Sequence, residues 1–223
     1  MNNSFSLQKI VDAYLAGEQK EHDDTKCFYA SQLGTCFRRR ILQRLNSPHQ
    51  PKTILDLRKF SIGKFIHIWL QDILAKSCYL LEEELKCGDT DYECFGRADA
   101  LVQTPENGLL LYEFKSTHSR ALIYNEMPRG YILQGLFYVQ CLNKQYNNAI
   151  KQLRICQISR DDLLLKETGF YLTDQWQAEL KAELEELKAW WGKREVELPP
   201  ELPEGDWQCF RKNKTYPCEY MEN

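Results

Sequence analysis

Three residues in the middle of the chain have types and spacing suited to holding a metal ion: Asp99 in Gly96-Arg-Ala-Asp99, and Glu113 and Lys115 in Tyr112-Glu113-Phe114-Lys115. Glu113 and Lys115 are two apart, so on a strand they project from the same face. A hairpin turning at Thr104-Pro-Glu-Asn-Gly108 brings Asp99 toward Glu113. Two carboxylates meeting at a sheet edge repel each other unless a counter-ion joins them. A divalent cation that prefers oxygen resolves that cost, and Mg²⁺ or Mn²⁺ suits two carboxylates and a backbone carbonyl. A lysine beside such an ion orients a water and stabilises charge growing on a phosphate.

A glutamate and lysine two apart on a strand also make an ordinary surface ion pair, and such pairs are abundant and weak. The setting argues against that reading here. Leu109-Leu-Leu-Tyr112 is apolar at successive positions, the mark of a strand buried on both faces. Charges that follow such a run need a partner.

Around this centre the pattern predicts helices, then three strands, a helix, further strands and a last helix. Ser6 is suited to cap a helix to Glu18, and Ser31 one running through the arginines to about Leu45. Prolines mark residues 47–51 as a loop. A long helix is expected over Ile54 to Cys78, burying Phe60, Phe65, Ile68, Trp69, Ile73 and Leu74. Strands are expected at Tyr79–Lys86, Phe95–Gln103, Leu109–Ser116, Ala149–Gln157 and Thr168–Thr173, with helices at Arg129–Leu142 and Asp174–Lys193. The expectation is an α/β core with a central mixed β-sheet flanked by helices. One domain spans residues 1–223: a helical N-terminal part over 1–78, a sheet core over 79–173, and a C-terminal helix with a cysteine-bearing tail over 174–223.

A chain of 223 residues is long enough for a full core. No apolar run reaches the ~18 residues of a membrane span. The N-terminus carries no basic-then-apolar secretion pattern, so a cytoplasmic location is expected. The net charge of −3 does not exclude a nucleic-acid partner, because binding needs only a locally basic cleft. Acidic residues gather around Glu179–Glu197 and in Leu81-Glu-Glu-Glu84, and basic ones at Arg38-Arg-Arg40, Arg44, Arg58, Lys59 and Lys64.

Nine cysteines are many for a reducing compartment, where disulfides are rare. Cys78, Cys141 and Cys156 sit in apolar segments and read as small core residues. Cys36, Cys209 and Cys218 do not.

Together these elements resemble the PD-(D/E)XK nucleases, restriction-endonuclease-like folds with the order G-x-x-D…E-x-K. Further matches resemble the RecB-like branch. Gly63-Lys-Phe-Ile-His67 resembles its G-x-x-x-H helix, and Gln134-Gly-Leu-Phe-Tyr138 its Q-x-x-x-Y helix. Tyr29-Ala-Ser-Gln-Leu33 with Cys36-Phe-Arg-Arg39 resembles the start of the iron–sulfur members, notably the CRISPR-associated Cas-four exonucleases. The resemblance spans residues 29–218. Taken alone, His67 reads as a satisfied core histidine, and Gln134 with Tyr138 as a helix pair. His118 matches no family role.

The resemblance implies a metal site of His67, Asp99, Glu113 and the Phe114 carbonyl, with Lys115, Gln134 and Tyr138 completing the catalytic group. DNA is expected to enter a cleft between the N-terminal helices and the sheet, its phosphates guided by Arg38, Arg39, Lys64 and Arg97, and the resemblance implies exonuclease action on single-stranded DNA ends or overhangs. A role in CRISPR spacer adaptation beside the integrase follows from the Cas-four likeness; a free-standing phage or repair exonuclease, or a non-catalytic DNA-binding subunit, is the alternative. It implies a [4Fe–4S] cluster too, held by Cys36, Cys209 and Cys218. The usual C-x-x-C step is absent, since Lys212 stands three past Cys209. Cys27, nine before Cys36 as Cys209 is nine before Cys218, is one source of the fourth ligand; a lost ligand, a zinc site or free buried thiols are the others.

Overall fold

A computed structural model of the protein describes residues 6–18, 25–47, 52–124, 126–202 and 208. Three antiparallel strands form its centre: β2 (Leu80–Asp89), β3 (Cys94–Thr104) and β4 (Gly108–Thr117). The Thr104–Gly108 turn makes β3 and β4 the expected hairpin. From β4 the chain passes through α4 (Ser119–Tyr124) and α5 (Arg129–Asn143) and returns as β5 (Ile150–Ser159), parallel to β4. A parallel neighbour requires such a crossover. Antiparallel β6 (Leu165–Phe170) ends that side, and β1 (Phe28–Tyr29) pairs parallel with β3 on the other. The result is one mixed six-stranded sheet.

Helices cover both faces. α3 (Ile54–Lys76) lies over β2, β3 and β4 with Ile66 and Leu70 against Ala100, Val102, Phe114, Cys156 and Ile158. The opposite face carries the main core, in which α5 packs with α6 (Asp174–Lys193) over Leu111, Leu153 and Ile155. α5 is buried nearly all round, and its only buried polar side chains are Gln134 and Tyr138. α1 (Leu7–Gly17) is joined to the back of α3 by the Arg58–Asp12 ion pair. Ser6, Thr53 and Thr173 cap α1, α3 and α6 by accepting N–H bonds from the first turn. No helix among the described residues is long and apolar enough to cross a membrane.

Three expectations are corrected. The chain does not enter a helix at Ser31. A short 3-10 turn over Ala30–Gln32 ends at Gly34, whose φ of +73° reverses the chain, and α2 (Phe37–Arg44) starts only after Cys36. A Cβ at Gly34 would stand 2.7 Å from Gly130 Cα, so the reversal lets this loop touch the start of α5. α3 buries a different face from the one expected: Phe60, Phe65, Ile68, Trp69 and Ile73 are exposed, while Gln71 is buried. Cys78, in left-handed backbone just past α3, is exposed rather than core. Cys141 and Cys156 are buried as expected, and burial pushes both thiols up to about 12.

The loop, α2, α5 and α6 meet at Glu183. Its Oε1 accepts from Arg40 Nη2 at 2.8 Å and from the Gly34 N–H at 2.9 Å, and its Oε2 pairs with Arg129 at 3.3 Å. Arg40 is 1% exposed, and its Nε and Nη1 have no hydrogen-bond partner; the guanidinium lies over the Phe37 ring at 4.1 Å. Burial lowers the Arg40 pKa, and Glu183 opposes that shift. Removing one member of a buried pair strands the other charge. Glu183→Ala is therefore expected to cost about 3–5 kcal/mol in urea unfolding, with Glu183→Gln milder; a loss under 1 kcal/mol for the alanine variant counts against this account.

Candidate active site

The site lies where β3 and β4 separate. Their ladder ends at Ala100↔Tyr112, so Asp99 and Glu113 are the first facing residues without a rung between them. The Asp99 side chain occupies that fork: Oδ2 accepts the Phe114 N–H at 2.7 Å, and Oδ1 lies 3.1 Å from His67 Nδ1. Gln71, one turn beyond His67 on α3, donates to the Asp99 carbonyl at 2.9 Å. The His67 ring meets Phe114 edge-on, which fixes its plane. Asp99 is thus held from the α3 side.

Glu113 and Lys115 are held from the other side, by α5. Lys115 Nζ donates to Glu113 Oε1 and to Gln134 Oε1, both at 2.8 Å. Gln134 Nε2 reaches Glu113 Oε1 at 2.7 Å and Tyr138 Oη at 3.1 Å. Gln134 and Tyr138 are one helical turn apart and share one stripe, which is why α5 presents both. Tyr131 extends that stripe, and Lys115 Nζ stands 4.7 Å from the centre of its ring.

Space for this network comes from Gly96. A Cβ there would fall 2.7 Å from Cε1 and Oη of Tyr138, so the aromatic ring occupies the volume a side chain would take. The glycine of the Gly-x-x-Asp stretch is a packing requirement of Tyr138.

The electrostatics follow from burial. Glu113 is 3% exposed, and its pKa is raised to about 7, first by desolvation and then by the Asp99 charge, against the pull of Lys115. Burial alone lowers the lysine, but attraction to Glu113 more than offsets it, and Lys115 ends above its ordinary value. Lys115 is therefore an ammonium at neutral pH. For His67, burial lowers the pKa, yet the bond and charge of Asp99 carry it above its usual value.

One atom in this network is left over. Glu113 Oε2 is buried and has no hydrogen-bond partner. A buried carboxylate oxygen without a donor is costly, and a cation is one kind of group that would relieve that cost. The donor types fit an oxygen-preferring divalent ion: Asp99 and His67 lie together at the fork, and Glu113 is the residue that faces Asp99 across it. Among the described residues no three such groups already stand in ligating positions, because His67 and Asp99 hold each other and Glu113 faces α5.

Of the expected site residues, the structure brings His67, Asp99, Glu113, Phe114, Lys115, Gln134 and Tyr138 together. Lys64 is exposed on the His67 stripe of α3. Arg97 is exposed on β3 and pairs with Glu84 at 3.1 Å. Arg38 turns away, donating to the Pro199 carbonyl, and Arg39 is half-buried on α2. Cys36 is buried and Cys27 half-buried, while Cys209 and Cys218 lie outside the described residues. Gln71 and Tyr131 are additions. Their only trace in the sequence is helical spacing, four after His67 and three before Gln134.

No family model and no curated protein matches this chain. Solved structures do. A crystal structure of LHK-Exo in complex with dAMP matches with a TM-score of 0.52 and 16% identity, covering 78% of this chain and 94% of that one. A second, of the alkaline exonuclease LHK-Exo from Laribacter hongkongensis, matches with a TM-score of 0.50 and 14% identity over 82% and 93%. The fold is a restriction-endonuclease-like α/β core. These neighbours are exonucleases; identity this low carries the fold to the present chain and leaves its activity to its own residues.

Gly96→Ala is expected to destabilise the protein by about 1–3 kcal/mol through overpacking against Tyr138. The same substitution made in Tyr138→Ala should cost less, giving a non-additive cycle in urea unfolding. Strict additivity would separate the two residues.

Proposed function

We propose that the protein is a divalent-metal-dependent deoxyribonuclease that trims single-stranded DNA ends. The observation that carries this reading is the unpartnered Glu113 Oε2 beside an ammonium, Lys115, that three neighbours immobilise. A structural ion pair would leave no oxygen over, and would not require Gln134, Tyr138 and Tyr131 to fix its lysine.

Asp99, Glu113, His67 and the Phe114 carbonyl are the groups to hold Mg²⁺ or Mn²⁺, and the ion supplies Lewis acidity and a more acidic bound water. The chain's own residues do the rest. Hydrolysis joins a water oxygen to phosphorus and breaks one P–O ester bond; the water gives up a proton and the departing alkoxide takes one. Lys115 keeps its proton and so acts by charge: it stabilises the anionic phosphorane and orients the attacking water through its third N–H. Gln134 holds Lys115 and Glu113 in register, and Tyr138 fixes the Gln134 amide.

Membership of the RecB-like branch, and of its iron–sulfur members, is part of the same proposal. Its support is a contact across the chain: the Cys36 N–H donates to Gln208 Oε1 at 2.7 Å, seating the neighbour of Cys209 in sequence against Cys36. We assign Cys36, Cys209, Cys218 and Cys27 to a [4Fe–4S] cluster that closes the two ends of the chain. Employment in CRISPR spacer adaptation, beside the integrase, rests on this likeness, and adaptation genes next to its own would support it.

Purified protein with Mn²⁺ is expected to degrade single-stranded DNA, and Glu113→Ala or Lys115→Ala to lower the rate by at least about 10²–10³-fold, the range for losing one electrostatic stabiliser. Wild-type protein with no metal-dependent cleavage, or variants as active as wild type, would sink the proposal. Protein purified without oxygen is expected to absorb broadly at the blue end of the visible spectrum, with iron and sulfide present. Colourless protein containing zinc assigns the cysteines to zinc instead, and metal-free protein leaves them as thiols.

A further inference from the structure

Phe60, Gly63, Lys64, His67 and Gln71 lie along one stripe of α3, because seven residues are two helical turns to within about 20°. The far end of the stripe is in the site, where His67 and Gln71 hold Asp99. Its middle passes over the strand that carries Lys115: a Cβ at Gly63 would lie 3.3 Å from Ser116 Oγ. The near end is Phe60, about 10 Å from His67 along the axis at 1.5 Å per residue.

Phe60 is 61% exposed, although a helix shedding a phenylalanine into water gains nothing for its own fold. Lys52 Nζ stands over its ring, 5.2 Å from the centre, and Lys64 is exposed one turn further toward His67. The one acidic side chain on this stretch of stripe, Asp56, is taken up by Thr53 Oγ1 at 2.7 Å and faces Lys59. An exposed ring between two cations, on the stripe that leads to the site, has the composition of a single-strand platform: rings stack on bases, and lysines track phosphates.

We propose that the first half of α3 is a stacking platform for single-stranded DNA, with Phe60 taking a base and Lys52 and Lys64 the flanking phosphates. The inference rests on the nuclease reading of the site and adds how a strand is held there. About 10 Å is at most a few nucleotides of single strand, so the platform grips the strand close to the scissile bond. It requires an unpaired base, which makes single strands the substrate without reading their sequence.

The test is equilibrium binding of a fluorescein-labelled oligothymidylate in EDTA. Phe60→Ala should weaken binding about tenfold, within the range of one base–aromatic stack. Phe60→Trp should keep it, Lys64→Gln should lower the salt slope by about one, and Phe65→Ala, on the opposite side of α3, should change nothing. With Mn²⁺, the ratio of kcat/KM for the oligonucleotide to that for thymidine 5′-(p-nitrophenyl phosphate), which has no strand to lay along the helix, should also fall about tenfold in Phe60→Ala. Equal affinity and an equal ratio in wild type and Phe60→Ala would overturn the platform. A wild-type protein that cleaves neither substrate overturns the site reading, and the EDTA isotherms then still decide the platform.

Discussion

Burial of the Glu113 carboxylate is the constraint around which the rest of the molecule is arranged. Taking an ion from water into a protein interior costs several kcal/mol unless charges and donors replace the lost water. Here the replacements come from two directions. Lys115 and Gln134 reach Oε1 from the same strand and from α5. No described residue donates to Oε2. A strand buried on both faces is needed to remove water from the carboxylate, and a helix buried nearly all round is needed to deliver an amide to it. β4 and α5 meet both needs, and both lie at the centre of the fold.

The same constraint explains why β3 and β4 separate where they do. Had the ladder continued one rung past Ala100↔Tyr112, the Phe114 N–H would have bonded backbone, and Asp99 would have had no donor for Oδ2. By opening there, the hairpin trades a backbone rung for a carboxylate–amide bond of the stronger, charge-assisted kind. It also brings two acidic side chains to one fork, one tethered to each helix layer. The sheet therefore works as a partition. Asp99 is oriented by α3, Glu113 and Lys115 by α5, and the candidate site is the gap in the partition.

This division accounts for what could be read in the sequence. The strands of the hairpin, the crossover helix and the pairing of Glu113 with Lys115 all follow from periodicity and turn chemistry, because those residues are placed by local geometry. Gln134 and Tyr138 were legible only through a resemblance, since nothing local distinguishes a buried amide from an exposed one. The buried face of α3 differs from the expected one for a physical reason. Phe60, Ile62, Phe65, Ile68, Trp69 and Ile73 spread apolar side chains round most of the helix, so no single face stands out, and the side chains that become buried include polar Gln71, with His67 half-buried one turn away. The start of α2 was misread because Ser31 is a good cap residue, whereas the boundary is set further on by Gly34, where the chain must reverse to touch Gly130. Contact between parts of the chain ~96 residues apart leaves no local signature.

The protonation of Lys115 separates two ways in which such a site can work. A lysine that is to accept a proton from water must be free of it near neutral pH, which requires burial without a nearby carboxylate. Lys115 has the burial and also has Glu113 at 2.8 Å, with Asp99 adding in the same direction, so its proton is held more firmly than in water. The Tyr131 ring, facing the ammonium, favours the charged form again. Every neighbour stabilises the cation. The lysine is therefore suited to act by charge, while burial and then the Asp99 charge raise the Glu113 pKa to about 7 against the pull of Lys115. On the proposed metal-dependent reading, a divalent ion would take the oxygen that Lys115 leaves open, at the expense of the carboxyl proton rather than of the ammonium. Metal and lysine would then be complementary partners of one carboxylate rather than competitors for it.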